Sequence, residues 1–237
     1  MSKPRLLDLF CGAGGAAEGY RRAGFDVVGV DIKPQPRYPI GMFYFTGDAL
    51  EVLRSGWVGD PTQDGPSWRV SDFDAIHASP PCQAYSTMSR RWNGNADKHP
   101  KLIARTRELL MATGLPHVIE NVPGAPLYYP IRLCGSSFGL GVRRHRMFEF
   151  SVEMDVPTAP PCDHNSQPPK YRVYDHGKWY LSRTAPVYGH GGGKAKEQWS
   201  EAMGIDWMSR EELTEAIPPA YTEFVGARLL EALAVRF

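Results

Sequence analysis

Apolar residues come in short continuous blocks along the first half of the chain. Arg5–Phe10 is one block, interrupted only by Asp8; Val27–Val30, Phe43–Thr46, Asp74–Ala78 and His117–Ile119 follow. Runs of this length, bounded by glycine, proline or an acid, predict strands buried on both faces. Between them the spacing turns helical, over about Ala16–Ala23, Ala49–Leu53 and Leu102–Leu110, with Gly24 and Gly114 as stops. Alternating strand and helix predicts an α/β fold with a doubly wound, mostly parallel sheet. Residues 55–72 are rich in Gly, Pro, Ser and Asp and read as a surface loop. Met147–Phe150 reads as a further strand, and Tyr221–Val235 as a closing amphipathic helix.

The pattern changes near Val156. Residues 157–200 hold few aliphatics, and Tyr171, Tyr174, Trp179, Tyr180 and Tyr188 interleave with Lys170, Arg172, Lys178 and Arg183. This predicts a small irregular region with short strands. It is either an aromatic mini-core or a surface that stacks on and clamps a polyanion. Acids gather from Glu197 to Glu223 and are expected on the face away from any nucleic acid.

Composition adds bounds. With 237 residues and 42% apolar content, a full core is available. A net charge of +1 neither favours nor excludes a polyanion, so such a site must come from local clustering. No run of 18 apolar residues exists, and Met1–Arg5 leads into a strand without a signal-peptide core. A soluble, cytoplasmic protein is expected, without membrane association and as a monomer. None of the four cysteines forms a C-x-x-C pair. Cys162 and His164 could be half a zinc site, but no second pair is evident, so no metal is expected. Cys134 reads as a packed thiol.

Candidate chemistry collects where strands end. After the first strand, Cys11-Gly12-Ala13-Gly14-Gly15 forms a tight turn, and Asp31 closes the second strand 16 residues past Gly15. Strand, glycine turn, helix, strand and acid make a mononucleotide-binding half. Gly-x-Gly-Gly suits a nucleoside-type ligand without a pyrophosphate better than a dinucleotide. On the glycines alone, a bare Rossmann-like turn fits as well as a cofactor site. Asp48 could meet an adenine amino group or simply cap the helix from Ala49. Cys82 stands behind Pro80 and Pro81 at another strand end, as a nucleophile or a packed thiol. Glu120 falls on the same rim. Arg144 and Arg146 alternate, so on an extended backbone they face one way. The polar stretch from Cys82 to Pro100 reads as a lid. From Arg90 to Arg107 there are six Lys/Arg and one acid, which fits a solvated helix face or a phosphate-tracking patch.

Taken in order, these residues resemble the DNA cytosine-5 methyltransferases. The matching segments are Asp8-Leu9-Phe10-Cys11-Gly12-Ala13-Gly14-Gly15, Asp31, Gly47-Asp48, Pro81-Cys82-Gln83, Glu120-Asn121-Val122 and Arg144-x-Arg146. The most specific is Pro-Cys-Gln followed by Glu-Asn-Val, with Glu120 38 residues after Cys82. The resemblance implies a Rossmann-like methyltransferase fold that uses S-adenosylmethionine and no metal. Phe10, Cys11, Gly12, Ala13, Gly14, Gly15, Asp31, Ile32, Asp48, Ala49 and Pro81 would hold the cofactor. Cys82 would attack C6 of a flipped cytosine, Glu120 would grip N3 and the amino group, and Arg144 and Arg146 would act at the base carbonyl. Gln83, Ser86, Arg90, Arg91 and Asn121 would contact double-stranded DNA. A positive neighbourhood from Arg144 and Arg146 would help ionise Cys82.

The amino-directed methyltransferases share Ser-Pro-Pro but place an aromatic ring where this chain has Cys82. Two departures stand out: Val142 replaces the family's Gln before the arginine pair, and Phe224-Val225-Gly226-Ala227 replaces its Gly-Asn element. The implied division is 1–150 for catalysis and cofactor, 151–216 for target recognition, and 217–237 as a returning helix. Transfer to tRNA, a degenerate binding relative, and transfer of a group other than methyl are the competing readings. A restriction endonuclease partner cannot be inferred.

Overall fold

A computed structural model describes residues 2–86, 98–151, 161–165, 167–175, 177–188 and 195–234. Most of the expected lid, with Arg90 and Arg91, lies outside the described residues.

The first half follows the apolar blocks. Strand β1 (Arg5–Leu9) leads to helix α1 (Gly15–Ala23), then β2 (Asp26–Asp31), β3 (Phe43–Thr46) and helix α2 (Ala49–Ser55). Two short strands, β4 (Trp57–Val58) and β5 (Trp68–Arg69), pair antiparallel inside the stretch expected to be a plain loop. Arg5 and Arg69 guanidiniums sit over Trp68 and Trp57 there, at 5.6 and 5.2 Å from the ring centres. These stacked cations give a Gly- and Pro-rich stretch enough packing to pair. Strand β6 (Ala75–Ala78), helix α3 (Ile103–Thr113) and strand β7 (His117–Asn121) follow.

Past β7 the pattern was less legible. Strand β8 (Ile131–Leu133) was not foreseen, and β9 (Arg146–Phe150) runs antiparallel to β7. A hairpin of β10 (Tyr171–Asp175) and β11 (Lys178–Ser182) stands apart from the main sheet. Helices α4 (Ala195–Met203), α5 (Arg210–Glu215) and α6 (Pro219–Ala234) close the chain. The main sheet has seven strands in the order β3-β2-β1-β6-β7-β9-β8, with the first five parallel.

Strand alternation sends neighbouring residues to opposite layers. Leu6, Val27, Ala75, Val118 and Phe148 pack against α1 and α6. Leu7, Leu9, Val28, Val30, Ile76 and Ile119 pack against α2 and α3 on the other face. Each fully buried Leu or Ile contributes about 1.5–3 kcal/mol relative to exposure. Helices α1 and α6 approach closely because glycines line the contact. A Cβ on Gly19 would lie 2.0 Å from the Thr222 hydroxyl, and one on Gly226 would lie 2.7 Å from the Ala23 Cβ. Gly226 therefore serves helix packing in this chain.

The chain climbs β1, β2, β3 to one side, then crosses to β6 and β7 on the other. That reversal puts the switch point between β1 and β6, at their carboxyl ends, where ligands bind in open α/β sheets. The backbone joins the two ends there: Ser79 donates its N–H to the Leu9 carbonyl at 3.1 Å, and Cys11 donates to Val30 at 3.1 Å.

Candidate active site

A cleft of about 780 Å³ opens over this switch point. Its floor is the glycine turn after β1, and one wall is Ser79–Gln83 after β6. The opposite wall is residues 208–217, including α5.

The turn is built from left-handed backbone. Phe10 takes φ 59°, Gly12 φ 49° and Gly14 φ 80°. For Phe10 this conformation is strained, at a cost of order 1–3 kcal/mol that the surrounding fold must hold. A Cβ on Gly14 would lie 2.5 Å from Pro39 Cδ, and one on Gly15 2.5 Å from the Ile217 carbonyl. Gly12 differs, since a Cβ there would meet nothing within 4 Å. Asp31, at the end of β2, accepts from the Gly12 N–H at 2.9 Å and from the Lys33 N–H at 2.9 Å. Ile32 beside it is 69% exposed and lines the cleft.

Asp8 interrupts the apolar run of β1 and opens the segment that ends in the glycine turn. It is fully buried, lines the cleft, and neither carboxyl oxygen has a hydrogen-bond partner. Burial, with the nearby Asp31 charge, holds its pKa well above the usual carboxyl range.

Cys82, Pro81, Gln83, Glu120 and Arg146 line the same cleft as Phe10, Cys11, Gly12, Ala13, Gly15, Asp31 and Ile32. Glu120 lies within β7 itself, opposite Phe148 of β9, and Arg146 opens β9. Arg146 Nε is 2.9 Å from Glu120 Oε1. Burial raises the Glu120 pKa despite Arg146, the Ser79 hydroxyl and Arg144, which all lower it. Burial also raises the Cys82 thiol; Arg146 and Arg144 lower it, while Glu120 and Glu215 raise it. The expected ionisation of Cys82 by the two arginines is thus outweighed by desolvation.

A buried hydrogen-bond chain backs Glu120. Tyr20 Oη lies 2.9 Å from His77 Nδ1, and His77 Nε2 lies 2.8 Å from Ser79 Oγ. The Ser79 hydroxyl in turn hydrogen-bonds the Glu120 carboxyl. Burial drives the His77 pKa down to about 3, so the ring is neutral. The bond from Ser79 lowers the Glu120 pKa, as a donated hydroxyl proton does, so Ser79 donates. That leaves His77 Nε2–H donating to Ser79, and Tyr20 donating to Nδ1.

Other expected residues stand elsewhere. Asp48 accepts from the Leu50 N–H at 2.7 Å as the N-cap of α2, and neither it nor Ala49 lines the cleft. Gly14 lies outside the lining as well, packed on Pro39. Arg144 is buried outside the cleft and donates to the Val187 carbonyl at 3.4 Å and to the Thr214 carbonyl. Its backbone carbonyl accepts from Tyr221 Oη at 2.5 Å. Burial lowers its pKa to about 9, so it remains a cation at neutral pH. It braces the α5 wall. Asn121 donates to the Pro80 carbonyl at 2.8 Å and so fixes the turn that carries Cys82. Ser86 closes that turn, its N–H donating to the Cys82 carbonyl at 3.0 Å. Val142 is core, packed with Ala13, Tyr171 and Trp199.

Two further findings were not foreseen. The acids Glu211, Glu212 and Glu215 line the cleft rather than facing away from it. The α5 wall carries no motif, and only the folded chain brings it to the turn, with Trp207 Nε1 donating to the Ala13 carbonyl at 2.9 Å.

The sequence pattern described as C-5 cytosine-specific DNA methylase matches residues 4–126, just over half of the chain. The chain belongs to that family. Among curated proteins it is similar to the Type II methyltransferase M.XorII of Xanthomonas oryzae pv. oryzae, 32% identical over 128 residues. That match covers 52% of this chain and 29% of the relative. The Type II methyltransferase M.AgeI of Thalassovita gelatinovora is 28% identical over 99 residues, covering 39% of this chain and 22% of the relative. The chain thus spans under a third of the length of these curated relatives. The Dnmt2 methyltransferase of S. pombe shares the fold, with a TM-score of 0.60 at 14% identity over 98% of this chain and 99% of that one. The architecture is the Rossmann-like one of S-adenosylmethionine methyltransferases.

Proposed function

We propose that this chain transfers a methyl group from S-adenosylmethionine to C5 of a cytosine flipped out of double-stranded DNA. The observation that carries the reading is the shared cleft: the Cys82 thiol and the Glu120 carboxyl line the same cavity as the Gly12 turn and Asp31.

The cleft fits the cofactor. Space lies open above Gly12, and Asp31 keeps a carboxylate on the rim for ribose hydroxyls. Exposed Ile32 offers an apolar face to an adenine ring. The orphaned Asp8 carboxyl suits a cationic ligand, whose charge would offset its desolvation. When bound, S-adenosylmethionine supplies the electrophilic methyl group that C5 takes.

The protein's part is to make C5 nucleophilic. The Cys82 thiol first gives its proton to water; its Sγ then bonds to C6, and the electron pair of the 5,6 double bond moves toward C5 and the N3 side of the ring. Glu120, with its pKa raised by burial, carries a proton to N3 and accepts from the exocyclic amino group. Arg146 holds the Glu120 carboxyl in place. The Tyr20–His77–Ser79 chain fixes the carboxyl from behind. Afterwards a base removes the C5 proton, the 5,6 double bond returns as the Sγ–C6 bond breaks, N3 gives its proton back to Glu120, and the released thiolate takes up a proton. Recognition falls to the 151–216 region. Its hairpin exposes Tyr174, Trp179 and Tyr180, with Arg172 stacked 4.7 Å over Trp179. The chain works as a monomer in this reading.

The test is incubation with S-adenosylmethionine and duplex DNA containing 5-fluorocytosine, where the C5 fluorine blocks release. A protein–DNA adduct that survives denaturation is expected, and none from Cys82→Ala. No adduct, or an equal yield from Cys82→Ala, would overturn the reading. Labelled-methyl transfer to tRNA in preference to duplex DNA would overturn the choice of substrate.

A further inference from the structure

Four soft ligands from three separate segments meet at one point beside the Arg144–Arg146 backbone. Cys134 directly follows β8, His145 precedes β9, and Cys162 and His164 open the second region. Their sulfur and nitrogen atoms all lie within 4.8 Å of one another. Cys134 Sγ is 3.3 Å from His164 Nε2, and Cys162 Sγ is 3.5 Å from His145 Nε2. The imidazole rings stand 5.4 Å apart between centres, tilted by 38°.

We propose that Cys134, His145, Cys162 and His164 form a structural zinc site that pins the start of the second region to the edge of the main sheet. Tetrahedral zinc has Zn–S near 2.3 Å and Zn–N near 2.0–2.1 Å, so its ligand atoms sit ~3.3–3.8 Å apart. The Cys134–His164 and Cys162–His145 separations fall in that interval, and the other pairs lie within 4.8 Å. Two thiolates and two neutral imidazoles select zinc over hard cations, and four protein ligands leave no open position for catalysis. Two thiolate charges cancel the dication, which allows the site to include fully buried Cys134. Ser136 Oγ, 3.4 Å from Cys134 Sγ, supplies the supporting hydrogen bond to a ligand that such sites use. A pair of thiol–imidazole hydrogen bonds would explain each short contact alone, but not the convergence of both pairs.

The placement has a consequence for the cleft. His145 lies between Arg144, which braces α5, and Arg146, which reaches Glu120. A metal on His145 would hold the backbone that carries both.

The experiment uses the full chain purified under reducing conditions from zinc-supplemented cells. Elemental analysis should find about one zinc per chain. Cys162→Ser and His164→Asn should lower this to under about a tenth, whereas Cys82→Ser keeps it. Cobalt(II) added to chelator-stripped wild type should saturate near one equivalent, with thiolate charge-transfer absorption and intense tetrahedral d–d bands. This measurement decides the matter even if a variant fails to fold. Absence of both metals from the wild type, a weak six-coordinate cobalt spectrum, or a Cys134–Cys162 disulfide in the reduced preparation overturns the site. So does zinc retained by the folded Cys162→Ser and His164→Asn variants.

Discussion

His77 offers a measurable handle on the buried chain behind Glu120. Its ring is 0% exposed, and burial lowers its pKa from 6.5 to about 3. A protonated ring could not accept from Tyr20, so the native state keeps it neutral, whereas the unfolded chain binds a proton below about pH 6.5. The unfolded state therefore binds more protons between about pH 3 and 6.5, and stability must rise with pH across that window. At 1.36 kcal/mol per unit, the His77 contribution lost between pH 7 and pH 5 is about 2 kcal/mol. The loss reaches about 4 kcal/mol at pH 3 and approaches about 5 kcal/mol only below it. Urea unfolding of wild type and His77→Gln at pH 5, 6 and 7 isolates it, because groups not linked to His77 cancel in the difference of slopes. The variant is expected to be less stable at pH 7 yet to lose about 2 kcal/mol less on going to pH 5. Equal pH slopes would refute the neutral buried ring. If the variant does not fold, the His77 ring resonances of wild type should show no titration down to about pH 4.

Two further outcomes follow from the same balance of burial and charge. Iodoacetamide should alkylate Cys82 in the ligand-free protein with a pH midpoint above that of free cysteine; Arg146→Gln should move it up and Glu120→Gln down, and a midpoint below free cysteine would contradict the dominance of desolvation. Gly226→Ala should cost about 1–3 kcal/mol in chemical denaturation, since its Cβ would lie 2.7 Å from the Ala23 Cβ and 3.0 Å from Tyr20; an unchanged stability would mean that α1 and α6 can part freely.

The five parallel strands were legible because they are written as short apolar blocks, broken only at Asp8 in β1. Cys82, Glu120 and Asp31 were legible because strand ends are marked by proline, acid and glycine. The register of β7 was less so. Glu120 and Asn121 were expected to emerge beyond the strand, but pairing with β9 carries the strand through both. Asp48 carried two meanings in sequence, and its cap bonds show where its carboxylate is engaged. Strand β8 and helices α4 and α5 were missed because their apolar residues gain partners only from other segments, as Trp199 and Leu213 do beside Ala13 and Val142.

The sequence by itself determined the layered α/β fold, the glycine turn and the placement of Cys82 at a strand end, since local pattern and turn chemistry suffice for these. Tertiary structure alone decided what surrounds them. It buried His77 between Tyr20 and Ser79, aimed Asp8 into the cleft, closed the cleft with α5, and raised the Cys82 thiol despite two nearby arginines. It also supplied Cys162 and His164 with partners. Cys134 and His145 lie 28 and 17 residues before Cys162 in the chain. No local spacing encodes such a pairing; it arises only when the sheet edge and the second region fold onto each other.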